Sequence, residues 1–374
     1  MLEKALCSTF YIGQHLLNVM DSNFLVYAAL PLFFSGISFL LTFGFISYLR
    51  NRKTVLTLKY GKGGGSKLQS KIYLFGGTIV FTTTGITILI LYLVGVVNVL
   101  DFAPFLIAIL GFMLLGLVDD LYKLTHLTKS VAQIILVSLY LFMTHIEITE
   151  LYLFTGIDML NGWFSYFVTG FLILLFINMI NIIDGINGLS SSLCVLAALF
   201  FSYHAFLVGN DMVVFLNIVV VGSLIAFIYF NVFSDFTIYM GDHGAYILGF
   251  YLVIHCFWLL GDAETLMLRQ FSPMMVFALF SYPFIDLVRV IIIRVYNGLN
   301  PVKGDKRHLH YAFLTQGFSH GQSTFYIVFS TLLIILIARQ LIQLELIYQV
   351  LSLLGLSLIL FHMPLVFRGV KFKF

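Results

Sequence analysis

Residues 178–190 read NMINIIDGINGLS, and their reading decides how the rest of the chain is read. They close an uncharged run that begins at Met159. A segment apolar enough to lie in a membrane ends here in Asn178, Asn181, Asp184, Gly185, Asn187 and Gly188. An ordinary turn needs one or two turn formers. Here carboxamides and a carboxylate recur every three residues. On a helix of 3.6 residues per turn, that spacing drifts slowly around one face. The stretch is therefore the end of a helix that turns a polar face toward something, and the rest of the chain says what.

The chain has 374 residues, of which 60% are hydrophobic and 10% charged. A soluble domain carries roughly 25% charged residues. The mean hydropathy of +1.03 points the same way, and a soluble fold is excluded. Backbone in lipid must satisfy its own hydrogen bonds, so the choice is helices or a closed barrel. Barrel strands show about ten residues of alternating polarity. The apolar runs here are long and do not alternate, which selects helices. The fold class expected is an all-α polytopic membrane protein with about eleven spans. They are read at 24–49, 72–97, 102–118, 130–146, 163–181, 189–208, 212–231, 244–260, 272–293, 324–338 and 345–366. Short links such as 98–101 and 209–211 force antiparallel neighbours. Neither an internal repeat nor a separate soluble domain is visible, so 1–374 reads as one transmembrane catalytic domain. Residues 1–22 read as an interfacial segment rather than a cleaved signal peptide. Cys7, Cys194 and Cys256 are scattered without metal-ligand spacing and read as packing residues.

Lys and Arg set the orientation. With eleven spans, all basic residues but Lys4, Arg269 and Arg339 fall on one side. That side is read as cytoplasmic, with the N terminus outside and the C terminus inside. The cytoplasmic loops are then 50–71, 119–129, 182–188, 232–243 and 294–323. The same side collects Asp119, Asp120, Asp184, Asp235, Asp242, Asp286 and Asp305. Acids gathered beside Lys and Arg at one membrane face point to a metal ion and phosphates. No nucleic-acid partner is expected.

Four stretches carry this chemistry. GLVDDLYKL, 116–124, places Asp119 and Asp120 about 100° apart on a helix end. One can face a ligand while the other faces a neighbouring helix. NMINIIDGINGLS enters the same mouth, and its glycines allow close backbone approach. MGDHGAYILGF, 240–250, opens a helix with Asp242 between Gly241 and Gly244, where an acid meets amide donors suited to phosphate. NPVKGDKRHLHYAF, 300–313, crowds Lys303, Lys306, Arg307, His308 and His310 together, which fits phosphate or nucleotide better than zinc. The bland alternatives are a solvated loop, a helix C-cap, a helix N-cap and a positive-inside loop. Two features are set aside. GKGGGSK, 61–67, lacks the Walker A register, and Asp286 with Arg289 reads as an i,i+3 pair.

These motifs, in this order, resemble the polyprenyl-phosphate N-acetylhexosamine-1-phosphate transferases (glycosyltransferase family 4). The pattern is G-x-x-DD, then N-x-x-N-x-x-DG-x-NGL, then GD-x-GA, then a His-rich loop. It runs from about Gly76 to Gln322. The HLH loop, rather than three consecutive histidines, places the resemblance nearer the undecaprenyl-phosphate GlcNAc-1-phosphate transferase branch than the peptidoglycan translocase.

The resemblance implies a reaction at the cytoplasmic face of the inner membrane. A UDP-N-acetylhexosamine and undecaprenyl phosphate, with Mg²⁺ (or Mn²⁺), yield UMP and undecaprenyl-pyrophosphoryl-sugar, the priming step of lipopolysaccharide O-antigen or a related envelope polymer. It also implies roles. Asp242 and Asp120 hold the metal, and Asp119, Asp120 and Asp184 are catalytic. Asn178, Asn181, Asn187, Lys303, Arg307, His308 and His310 meet substrate, and a homodimer is expected. Asn187 stands where many bacterial relatives have a second Asp, and Tyr311 where they often have a further His. The competing readings are the phospho-MurNAc-pentapeptide translocase and a secondary transporter. A transporter would place its polar residues near the bilayer midplane, often with repeat symmetry.

Overall fold

A computed structural model describes residues 24–52, 75–95, 102–148, 162–261, 273–300 and 306–367. The expected segment 1–22, the glycine-rich loop 61–67, Cys7, Lys303 and Asp305 lie outside these residues. The described chain is helical, as an apolar sequence with self-satisfied backbone must be. The helices are α1 (Phe24–Arg52), α2 (Gly76–Leu93), α3 (Ala103–Tyr122), α4 (His126–Thr144), α5 (Trp163–Ile183), α6 (Leu189–Leu207), α7 (Asp211–Ile228), α8 (Gly241–Gly261), α9 (Pro273–Leu279), α10 (Ser281–Tyr296), α11 (Leu309–Thr315), α12 (His320–Leu341) and α13 (Leu346–Phe367). Ten helices among the described residues are long and apolar enough to cross a membrane. An 18-residue helix such as α2 is already ~27 Å long at about 1.5 Å per residue. The protein is a multi-pass membrane protein.

The remaining expected span, 272–293, is instead two helices. α9 and α10 meet at Phe280, whose φ of −103° and ψ of 18° are not helical. Pro283, in the first turn of α10, has no N–H to offer the carbonyl of Leu279, so the ladder breaks there. Phe280 N–H still bonds to the Val276 carbonyl at 3.0 Å, and Phe284 N–H to the Phe280 carbonyl at 3.1 Å.

α8 is the axis of the bundle. Every residue from 243 to 256 is buried, and α8 packs against α5, α3, α2 and α6. Between lipid-embedded helices, association depends on close packing, and small residues allow it. Gly77 lies against Gly244, where an added Cβ would come within 2.4 Å of the Gly244 Cα. A Cβ on Gly116 would fall 2.1 Å from the His243 Cα, and one on Gly249 2.6 Å from the Ile177 Cα. A second seam joins α1, α2 and α7 through hydroxyls. Ser38 meets Ser223, and Thr42 meets Thr83 at 2.6 Å. Cys194 and Cys256 are buried free thiols, as their packing role requires.

The polar segments between helices tie to one another. The N–H groups of Gly76 and Gly77, otherwise orphaned at the start of α2, donate to the carbonyls of Tyr239 and Met240, both at 2.9 Å. α7 continues into a π-turn at Tyr229–Phe233, a distortion common near functional sites. Asn231 within that turn bonds the Gly188 N–H at 2.6 Å and the Ile238 carbonyl at 2.5 Å. The loops before α2, before α6 and before α8 therefore share one polar knot.

Candidate active site

The ends of α3, α4, α5 and α8 bring four carboxylates together. α3 stops at Lys123, whose φ of 54° is left-handed. Thr125 then caps α4 by accepting from Thr128 N–H at 3.2 Å. This tight reversal carries Lys129, in the first turn of α4, back over the acids of α3. Lys129 Nζ lies 2.5 Å from Asp119 Oδ2 and 3.5 Å from Asp242 Oδ2. Asp119 is fully buried. It also accepts from the Tyr246 hydroxyl at 3.0 Å and the Leu124 N–H at 3.1 Å.

Asp120 faces α8. Its Oδ1 accepts the Asp242 N–H at 3.3 Å and its Oδ2 the His243 Nδ1 proton at 2.7 Å. His243 Nε2 in turn accepts from Thr78 N–H at 3.0 Å. These bonds fix the ring as the neutral Nδ1–H tautomer. Gly241 must be glycine for two reasons. Its φ is +78°, and a Cβ there would press within 2.8 Å of the Asp120 carboxylate. The expectation that one adjacent acid would face ligand and the other a helix is refined. Both are engaged with α4 or α8, and the carboxylate of Asp242 is more open than either, with a side chain 32% exposed.

The opening stretch is helical through Ile183, and Asp184 is the C-cap of α5. Ser190 donates to Asp184 Oδ1. Burial pushes the Asp184 carboxyl up to about 7, against the Ser190 hydrogen bond, with the charges of Asp242 and Asp120 adding to the rise. Asn181 is half-buried in the last turn. Asn178 points elsewhere, donating to Gln133 on α4 at 3.2 Å and to the Leu174 carbonyl at 2.7 Å. Asn187 is a structural anchor. Its amide donates to the Asn231 carbonyl at 2.8 Å, its N–H to His320 Nδ1 at 3.1 Å, and its carbonyl accepts from Thr324 at 2.8 Å.

The histidine loop closes the other side. Asp286 is not paired with Arg289. The Asp286 carboxylate accepts from His308 Nδ1 at 2.8 Å and from Leu309 N–H at 2.7 Å. Arg289 donates to the Arg307 carbonyl at 2.8 Å instead. The reason is the N-terminus of α11, whose free N–H groups and neighbouring imidazoles suit a fully buried carboxylate. His308 and His310 stack with planes 5° apart and ring centres 5.6 Å apart. His310 Nε2 is buried without a hydrogen-bond partner. It borders the α5–α6 turn, since a Cβ on Gly185 would lie 2.5 Å from His310 Nε2 and 2.7 Å from the Tyr311 hydroxyl.

Sequence reasoning missed Lys129, His243, Tyr246 and Asp286 as site residues. Lys129 left a signal. It is a lysine in the first turn of an apolar span, with no acid on its own helix to answer it. Among the described residues, no three His, Cys, Asp or Glu side chains converge as a ready metal cage. The donor set nonetheless fits a hard divalent cation. Magnesium is commonly held by one or two carboxylates, with substrate phosphates completing its shell. Here carboxylates outnumber cations, and Asp242 is more open than Asp119 or Asp120.

Residues 102–260 match the family described as Glycosyl transferase family 4, which bears out the resemblance carried by the motifs. The chain is 31% identical over 215 residues to a Bacillus subtilis protein named probable undecaprenyl-phosphate N-acetylglucosaminyl 1-phosphate transferase, covering 56% of this chain and 58% of that one. It is 23% identical over 213 residues to an Escherichia coli O157:H7 protein named undecaprenyl-phosphate alpha-N-acetylglucosaminyl 1-phosphate transferase, covering 56% and 57%. The Salmonella typhi protein of that name is 23% identical over 212 residues, with the same coverage. The match thus spans less than two thirds of these relatives.

Proposed function

We propose that this protein transfers N-acetylhexosamine-1-phosphate, with GlcNAc-1-phosphate as the first choice, from a UDP-sugar to undecaprenyl phosphate at the cytoplasmic face of the inner membrane. A phosphate oxygen of the lipid attacks the phosphorus that carries the sugar. The bond from that phosphorus to the UMP oxygen breaks, leaving UMP and undecaprenyl-pyrophosphoryl-sugar. The product would prime O-antigen or a related envelope polymer. The observation that carries this reading is the convergence at one end of the bundle of Asp119, Asp120, Asp184 and Asp242 with Lys129 and the His308–His310 pair.

Donor and acceptor are both anionic, so the catalyst must offset their repulsion as charge moves onto the leaving phosphate. Asp242, with Asp120, would hold Mg²⁺, which when bound supplies that neutralisation. Lys129 is held between Asp119 and Asp242 as a fixed cation for a phosphate group. Asp119 then acts chiefly by orienting that ammonium, because a phosphate monoester is already largely ionised at pH 7. Asn181, Arg307, His308 and His310 are the side chains assigned to the nucleotide diphosphate. The basic residues on this side of the chain support the cytoplasmic placement.

The test is transfer of labelled sugar-1-phosphate in membranes expressing the protein, supplied with UDP-GlcNAc, undecaprenyl phosphate and Mg²⁺. Butanol-extractable label and stoichiometric UMP, both lost in Asp242→Asn, support the reaction. Product only with another UDP-sugar keeps the reaction and changes the sugar. No product with any UDP-sugar from folded protein overturns the proposal.

A further inference from the structure

Tyr282 and Asp286 stand one turn apart on α10 and both face the histidines of α11. They handle the two rings differently. Asp286 Oδ2 lies 2.8 Å from His308 Nδ1 but 4.0 Å from His310 Nδ1. A carboxylate only accepts, so His308 carries its proton on Nδ1. His310 Nδ1 meets the Tyr282 hydroxyl at 3.2 Å. The Tyr282 hydroxyl is buried, and if the ring donated at Nδ1 the tyrosine proton would be left without an acceptor, so that proton is the one directed at Nδ1. A ring that accepts at Nδ1 and stays neutral carries its hydrogen on Nε2. Burial holds His310 in that neutral form, with its pKa pushed down to about 4. The Nε2 atom is the one that is buried, unpartnered and set against Gly185.

We infer that Tyr282 and Asp286 are positioning residues that fix opposite proton arrangements on two stacked histidines, so that His310 presents an Nε2–H donor to an acceptor oxygen of the donor nucleotide at the Asp184–Gly185 turn. This rests on the proposed function for the identity of the ligand, but not for the proton arrangement itself. Tyr282 is fully buried, with its ring edge against Phe361. Tyr282→Phe therefore keeps the packing and removes only the hydroxyl. Asp286→Asn keeps an oxygen for the Leu309 N–H but offers His308 a donor where it had an acceptor.

The experiment uses the full chain in nanodiscs with ¹⁵N-labelled histidine, assigned by His308→Gln and His310→Gln. The wild type is expected to show His310 as the Nε2–H tautomer and His308 protonated at Nδ1. Tyr282→Phe should give His310 a mixture of tautomers, and Asp286→Asn should move His308 alone. Asp286→Glu should restore the His308 signal. In the transfer assay, Tyr282→Phe should raise KM for UDP-GlcNAc by about tenfold, the scale of one lost hydrogen bond, with a smaller change in kcat. Melting curves check that each variant is folded. Folded Tyr282→Phe with unchanged His310 nitrogen shifts and unchanged KM overturns the inference. If the spectra move as expected but no UDP-sugar is a substrate, the proton arrangement stands and the proposed function falls.

Discussion

The acid cluster of α3, α4 and α8 and the histidine hub of α10 and α11 are built on opposite principles. In the first, Asp119, Asp120 and Asp242 share one lysine and one neutral histidine. Asp184 stands beside them with its carboxyl raised toward neutrality. In the second, a single buried carboxylate is answered by His308 and the Leu309 N–H. The acid cluster is under-neutralised and the hub is satisfied except at one nitrogen. A site short of positive charge is prepared for a cation, whereas a satisfied hub with one orphan donor is prepared to orient a ligand. The two should therefore fail differently.

The largest difference is expected in turnover. Asp242→Asn should lower kcat by about 10²–10³-fold, the scale seen when a transition-state electrostatic partner is lost. His310→Gln should act mainly on KM. Equal kcat losses in the two variants would erase the distinction. Next is stability. Lys129→Met strands Asp119, and removing one member of a buried pair costs about 3 kcal/mol, less here because the lysine side chain is 24% exposed. Adding Asp119→Asn should recover most of the loss. A double-mutant cycle by thermal unfolding in detergent reads it, and additive losses would mean that the pair is not coupled.

A smaller effect tests the scaffold beneath the acids. Gly116→Ala drives a Cβ into the His243 backbone and should cost about 1–3 kcal/mol through overpacking, with activity falling as α3 and α8 part. Gly85→Ala meets nothing within 4 Å and should be neutral or slightly stabilising. Comparable melting shifts for the two would show that the α3–α8 contact is looser than described. The smallest effect is on the hub. Burial holds the folded His310 ring at about 4, opposed by Asp286 and reinforced by His308 and His320, against an ordinary 6.5. The unfolded chain takes the proton first. This contribution is whole above pH 6.5 and is lost as pH falls toward 4, by no more than about 2 kcal/mol at pH 5. Chemical denaturation at pH 7 and pH 5 should show a shallower pH slope for His310→Gln than for wild type.

The helices and the acidic motifs were legible because lipid enforces long apolar runs, and charge there stands out. Asp119, Asp120, Asp184 and Asp242 each interrupt such a run, and the structure brings them together. The break at Phe280 was not legible as two helices, because the apolar run continues across it from α9 into the first turn of α10 and only Pro283 marks the join. The partners of Asp286 were misread because an i,i+3 arginine is visible in sequence, whereas a histidine 22 residues away is not. Asn187 carries the turn former's residue type, but its role depends on Asn231, His320 and Thr324, which come from two other helical segments. Sequence shows which residues are costly to bury, while their partners emerge only from the packing of distant segments.

The Asn187–Asn231 bond has an evolutionary consequence. An amide at 187 gives a proton to the Asn231 carbonyl, and a carboxylate there has none to give. A lineage that exchanges Asn for Asp at 187 must re-route the π-turn or recruit a new donor. Positions 187, 231, 320 and 324 are therefore expected to drift through homologues as a linked set, at a tempo separate from the acids they surround.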